Sequence, residues 1–94
     1  MRTIERSSAF KRDFKKIQTA PTHKKNLNEL LSNILKLLLA DQILPKVNRD
    51  HALSGNWSGY RECHIKPDLL LIYRKPDANT LRLARISSHS ELLS

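Results

Sequence analysis

The sequence predicts an α+β fold, a small antiparallel sheet with a two-helix hairpin packed on one face. Leucines gather in two blocks: residues 27–39 have helical spacing, and residues 69–71 form an unbroken run. In the second half of the chain, short apolar stretches are separated by turn residues. The 94 residues suffice for one modest core, so a single domain over residues 1–94 is expected.

The predicted order is β-α-α-β-β-β with a short C-terminal helical turn. Arg2 to Arg6 alternates polar with apolar residues, as an edge strand does. Ser7 or Ser8 offers an N-cap, and Phe10, Phe14 and Ile17 then form one apolar stripe on a basic helix. Thr19-Ala20-Pro21 breaks it. A second helix is expected from about Pro21 or Thr22 to Ala40. Leu27, Leu30, Leu31, Ile34, Leu35 and Leu38 make its broad apolar face, and Lys24, Lys25, Asn28 and Ser32 lie mostly opposite.

Residues 41–58 show no clean periodicity and read as a long ordered loop holding at most a very short strand; loops of that length are often functional. Tyr60 to Ile65 reads as a strand, interrupted by Pro67. Leu69 to Tyr73 reads as a strand buried on both faces, Lys75 to Asn79 as a turn, and Thr80 to Ser87 as a third strand. Three strands joined by tight turns form an antiparallel meander, which the helix pair covers. The tail from Ser88 to Leu93 has room for one helical turn.

Seventeen basic residues against nine acidic ones give a formal charge of +8. So large an excess on a small domain attracts polyanions: nucleic acid first, then an acidic protein, then an anionic membrane. The single cysteine, Cys63, has no internal disulfide partner and reads as a small buried hydrophobe, fitting a reducing compartment. No basic-plus-apolar leader opens the chain and no apolar run approaches ~18 residues, so a cytoplasmic protein without a membrane span is expected.

The chemistry is expected at one end of the sheet. A turn centred near Lys66-Pro67 sets His64 opposite Asp68 or Leu69, and a turn centred near Asp77 sets Arg85 or Ile86 opposite the same pair. His89 would emerge from that end. Taken singly, His64 is an ordinary strand histidine, Asp68 a turn residue and His51 a solvent-facing side chain, while His23, at a helix start, is assigned no function. Arg85 is the sharpest anomaly, because a charge between Leu83 and Ile86 needs a partner or a ligand.

Two histidines, a carboxylate and an arginine beside a basic surface suit phosphodiester cleavage by the RNA's own 2′-hydroxyl. That reaction needs a base, an acid and a cation for the developing charge, and no metal. His51, His64, His89 and Asp68 match no zinc-binding spacing, and Arg85 among them opposes a cation. No Walker loop, G-x-G-x-x-G or G-x-S-x-G is present.

Residues 50–68, Asp-His-Ala-Leu-Ser-Gly-Asn-Trp-Ser-Gly-Tyr-Arg-Glu-Cys-His-Ile-Lys-Pro-Asp, resemble the DHxLxGxWxGxRxxHxxPD segment of YafQ-type toxins in the RelE superfamily. The likeness continues through Leu70-Leu71-Ile72-Tyr73 and closes on Arg85-Ile86-Ser87-Ser88-His89. The first forty residues agree in layout more than in letters.

The resemblance implies the toxin of a type II toxin–antitoxin pair that cuts mRNA in the ribosomal A site without a cofactor. It implies a 2′,3′-cyclic phosphate and a 5′-hydroxyl as products. The implied partners are the ribosome, mRNA and an acidic antitoxin, which commonly holds operator DNA through a ribbon-helix-helix end. The family's functional positions fall on His51, His64, Asp68, Arg85 and His89. These imply His89 as general acid, Asp68 or His64 as general base, Arg85 as charge stabiliser and His51 as an RNA-positioning residue. Lys11, Arg12, Lys15, Lys16, Arg61 and Lys66 are candidate contacts to RNA or ribosome.

Leu69 and Leu93 stand where the family's type member has tryptophan and phenylalanine, and are candidates for a substrate pocket that has lost its stacking aromatics. Those departures support one alternative, a RelE-fold module that binds RNA or ribosome without cutting; a co-repressor role with its antitoxin is a separate reading, which in family terms accompanies toxicity.

Overall fold

The computed structural model describes residues 2–88. Its elements are β1 (Thr3–Arg6), α1 (Ser8–Thr19), α2 (Leu27–Leu39), β2 (His51–Ala52), β3 (Arg61–Lys66), β4 (Leu69–Arg74) and β5 (Thr80–Ser88). The expected helical turn after Ser88, with His89 and Leu93, lies outside the described residues.

The α+β expectation holds, and β3, β4 and β5 form the expected antiparallel meander. The sheet as a whole is mixed, in the order β1-β5-β4-β3-β2, because β1 runs parallel to β5. The chain leaves β1 at one edge and next joins the sheet as β2 at the other. The helix pair and the loop after it therefore carry it across the full width of the sheet, and β5 reaches its parallel neighbour β1 only after β2, β3 and β4 are laid down.

Ser7 caps α1, its Oγ accepting from the Phe10 amide at 3.0 Å, and donates the same hydroxyl to the Ala84 carbonyl at 2.7 Å. Phe10 and Ile17 are buried, with Phe14 packed against them, as the stripe predicts. α2 begins later than expected. The His23 and Lys24 amides both bond to the Ala20 carbonyl, at 3.1 and 3.0 Å, closing a turn that goes no further. Asn26 then adopts a left-handed φ of 58° before the helix starts at Leu27.

Leu27, Leu31, Ile34 and Leu38 bury against the sheet, whose inner surface is Cys63, Ile65, Leu69, Leu71, Tyr73, Leu81, Leu83 and Ile86. The opposite face of β4 is closed too: Leu70 and Ile72 are 1% and 2% exposed, so the strand is buried on both sides as its unbroken apolar run predicts. Residues 41–58 hold the two-residue β2 and 3₁₀ turns at Lys46–Asn48 and Gly55–Trp57.

Candidate functional site

The site is built on the sheet face turned away from the helices. Side chains alternate along a strand, so with Cys63 and Ile65 directed inward, Glu62 and His64 point outward. His51 of β2 is paired with Glu62, Glu62 with Ile72, and Ile72 with Arg85. These four residues form one row across the sheet. His64, Leu70 and Ser87 form the next row. Ladder spacings put the His51 and His64 Cα atoms about 8 Å apart.

Both imidazoles are oriented the same way. His51 Nδ1 lies 2.7 Å from the Arg49 carbonyl, and His64 Nδ1 lies 3.3 Å from the Pro67 carbonyl. A carbonyl only accepts, so each Nδ1 carries its proton, and Nε2 is the nitrogen left for proton transfer. Glu62 Oε1 stands 3.6 Å from His51 Nε2, an ion pair once the ring is protonated. The Asn48 side chain donates to the His64 carbonyl at 2.7 Å and ties the 3₁₀ turn to the end of β3.

Asp50 anchors His51 from the other side. Its carboxylate accepts from the Tyr73 hydroxyl at 2.6 Å and from Arg61 Nη2 at 3.1 Å. Burial pushes the Tyr73 hydroxyl well above its ordinary ionisation range, and the Asp50 carboxylate pushes it further. Arg61, a candidate RNA contact, is thereby occupied in holding the loop, and Asp50 keeps its guanidinium more firmly charged. Lys66, another candidate, donates to the His23 and Lys25 carbonyls at 2.8 and 2.7 Å, stapling β3 to the turn between the helices.

Arg85 does not face Asp68 or Leu69; it faces Ile72. Two local features cause the displacement. Arg74 pairs with Arg82, so the turn is centred on Ala78, and a bulge between Ile72 and Tyr73 adds a further residue. His64 likewise faces Leu70, because the hairpin turns at Pro67-Asp68 and a bulge follows His64. Asp68 is exposed in that turn. The structure therefore gathers His64 and Asp68 at one end and places Arg85 two rungs inward.

The partner Arg85 needs is Asp13, whose carboxylate accepts from Arg85 Nε at 2.6 Å, Arg85 Nη2 at 3.1 Å and the Ile86 amide at 3.2 Å. Asp13 was missed in sequence. Its signal is a lone acid on a helix otherwise carrying Lys11, Arg12, Lys15 and Lys16, all of them exposed.

Leu69 is 0% exposed in the core beneath the helices, so its side chain does not line a substrate pocket. It alternates along β4 with Leu71 and Tyr73, which also face the core. Cys63 is equally buried, and burial pushes its thiol up to about 12, which suits the inert hydrophobe expected. Among the described residues, no three His, Cys, Asp or Glu side chains cluster closely enough to hold a metal ion. No described helix is long and apolar enough to cross a membrane.

A groove of about 770 Å³ between α2 and residues 45–49 reaches His64. Lys46, Arg49 and Lys66 line it, with no carboxylate among the lining residues.

Known proteins share this architecture. The YafQ toxin family, bacterial toxins of type II toxin–antitoxin systems, matches residues 2–94. The mRNA interferase toxin YafQ of Escherichia coli K12 is 38% identical over 92 residues, spanning 97% of this chain and 95% of that protein. The crystal structure of a copper-bound mutant toxin from Helicobacter pylori superposes with a TM-score of 0.87 at 36% identity, covering 98% of this chain and 99% of that one. YafQ in the E. coli DinJ–YafQ complex gives 0.83 at 34% identity, with full coverage of both chains. Matched in sequence and in fold over nearly its whole length, the chain belongs to the YafQ family of type II toxin–antitoxin toxins.

Proposed function

We propose that this toxin is an mRNA interferase, a metal-independent endoribonuclease that cuts mRNA in the ribosomal A site. The 2′-oxygen forms a bond to the adjacent phosphorus while the bond to the 5′-oxygen breaks. A base takes the 2′-hydroxyl proton and an acid returns one to the departing 5′-oxygen. The products are a 2′,3′-cyclic phosphate and a 5′-hydroxyl.

The observation that carries this reading is the matched pair of imidazoles on one sheet face. Each Nδ1 is fixed on a backbone carbonyl, which leaves His64 Nε2 for proton transfer and holds the His51 ring in place. Family membership and the interferase activity named for the E. coli relative support it. His89 is the general acid, and His64 or Asp68 is the base. Arg85, held two-pronged by Asp13, stabilises the phosphorane charge. His51, steadied by Asp50 and Glu62, positions the strand. Lys11, Arg12, Lys15 and Lys16 meet the RNA backbone or ribosome.

The +8 surface and the carboxylate-free groove beside His64 suit neutralisation by an acidic antitoxin. Such an antitoxin would hold operator DNA through a ribbon-helix-helix end.

Cleavage on purified ribosomes programmed with a defined A-site codon tests the reading. Wild type should leave a cyclic phosphate, and His89→Ala and His64→Ala should each cut about 10²–10⁴-fold more slowly. Wild-type cutting by both variants would end the proposed assignment. Binding without any cut by wild type would leave a ribosome-binding module.

A further inference from the structure

One row of the outer sheet face takes no part in the proposed proton chemistry. Arg74 of β4 and Arg82 of β5 are direct cross-strand partners. Like charges placed directly opposite each other destabilise a sheet, so this pair calls for an anion. Tyr60 precedes Arg61, whose partner is Tyr73, so Tyr60 lies level with Arg74. The Arg74 guanidinium sits 5.6 Å from the centre of the Tyr60 ring. Trp57 meets Tyr60 nearly at right angles, 86° between planes and 5.3 Å between centres.

The backbone is shaped for this arrangement. Gly59 has φ +92°, and a Cβ there would lie 3.8 Å from the Arg74 guanidinium carbon. The loop can thus turn over the arginine in a conformation that side chains rarely adopt. Facing the row is the Glu5 carboxylate, which accepts from Arg82 Nε at 2.5 Å and is itself half exposed. An exposed pair of this kind is weak and open to competition from phosphate.

We propose that Trp57, Tyr60, Arg74 and Arg82 form a nucleobase-binding subsite for single-stranded RNA. A base stacks in the aromatic corner, and its phosphate lies between the two guanidinia in place of the Glu5 carboxylate. Base–aromatic stacking with arginine support is how proteins hold single strands. The subsite shares its face with His51 and His64. Arg74 stands four residues along β4 from Leu70, the partner of His64, a distance of about 13 Å, or roughly four stacked nucleotides. It would therefore grip the same strand a few nucleotides from the cut, and to that extent it rests on the proposed RNA-cutting function.

Trp57 is the only tryptophan in the chain, so its fluorescence reports directly on the subsite. The probe is a short 2′-O-methyl oligoribonucleotide, which cannot be cut because its attacking oxygen is blocked. Saturable, salt-sensitive quenching is expected, with about tenfold weaker binding in Tyr60→Leu and in Arg82→Gln. Circular dichroism checks the fold. Should Tyr60→Leu not fold, Arg82→Gln, at a partly exposed position, still decides.

Unchanged Trp57 emission overturns the subsite, as does wild-type affinity in Arg82→Gln. Quenching by a poly-glutamate peptide as strong as by RNA also overturns it, in favour of an acidic protein. Quenching without ribosomal cutting would sustain the subsite while the nuclease reading falls. Cutting without quenching would remove the subsite alone.

Discussion

Beneath the helices, β3, β4 and β5 present a nearly pure hydrocarbon surface: Cys63, Ile65, Leu71, Tyr73, Leu81, Leu83 and Ile86. On their opposite face the same strands carry Glu62, His64, Arg74, Arg82 and Arg85 around two buried residues, Leu70 and Ile72. The inner face needs only apolar residues at alternate positions, and many substitutions of similar volume would satisfy it. The outer face needs particular side chains at particular rungs. It therefore depends on turn centres and bulges that the inner face can tolerate.

The comparison is tested most severely by truncating neighbours on β4. Leu71 faces the helices and Ile72 faces away, at 0% and 2% exposure. Leu71→Ala should cost about 2–5 kcal/mol in denaturant unfolding, and Ile72→Ala a similar amount. A cost below about 1 kcal/mol for Ile72→Ala would show that the outer face is no second core.

Asp13→Ala comes next. It takes the carboxylate from Arg85 and leaves the Ile86 edge amide without its acceptor. With the Arg85 side chain 35% exposed, water recovers part of the loss, so about 1–3 kcal/mol is expected. Ribosomal cutting should fall with it, because the guanidinium loses its orientation. Asp13→Asn keeps an acceptor for the Ile86 amide and should recover stability more than activity. Equal recovery of both would place Asp13 outside the site.

Asp13 also marks where the sequence stopped being legible. The fold could be read because helical and alternating periodicities recur over many residues and tolerate local error. Phe10, Ile17 and Leu31 to Leu38 follow that pattern, and so does the doubly buried β4. The late start of α2 could not be read, since the left-handed Asn26 leaves no trace in hydropathy. Nor could the positions of His64 and Arg85 relative to one another. One bulge in each hairpin moves every partner beyond it by a rung. Asp13, five residues into a basic helix, meets Arg85 only through tertiary packing, which no local pattern encodes.

Alkaline unfolding compares the inner face with itself. Cys63 ionises at an ordinary value of 9.0 when unfolded and near 12 in the fold, because burial penalises the thiolate. The unfolded chain therefore releases this proton first. Stability is intact below pH 9 and drains away as the pH climbs from 9.0 to about 12. Tyr73, ordinarily 10.0 and raised by burial, adds a loss that begins above pH 10. Melting temperature measured against pH should fall less steeply over this window in Cys63→Ala than in wild type. Parallel curves would show that the thiol does not couple to folding.

The smallest effect belongs to Asp41, an acid with two cationic partners like many a crystallographic salt bridge. Lys75 Nζ lies 2.7 Å and Arg2 Nε 3.0 Å from its carboxylate, and these bonds hold its ionisation below the ordinary 3.8. Stability from a depressed carboxylate is present above that value and lost as the pH falls through it. That stability is present near neutrality but small because Asp41 is exposed, so Asp41→Asn should shift the unfolding midpoint there by no more than the scatter of repeat measurements. Asp41 is exposed, and Arg2 keeps the Asp77 and Thr80 carbonyls as acceptors when it goes, whereas Asp13 is sheltered and its loss strands a strand-edge amide. A loss for Asp41→Asn as large as that for Asp13→Ala would mean that contact with cations, not shelter from solvent, sets what a carboxylate contributes here.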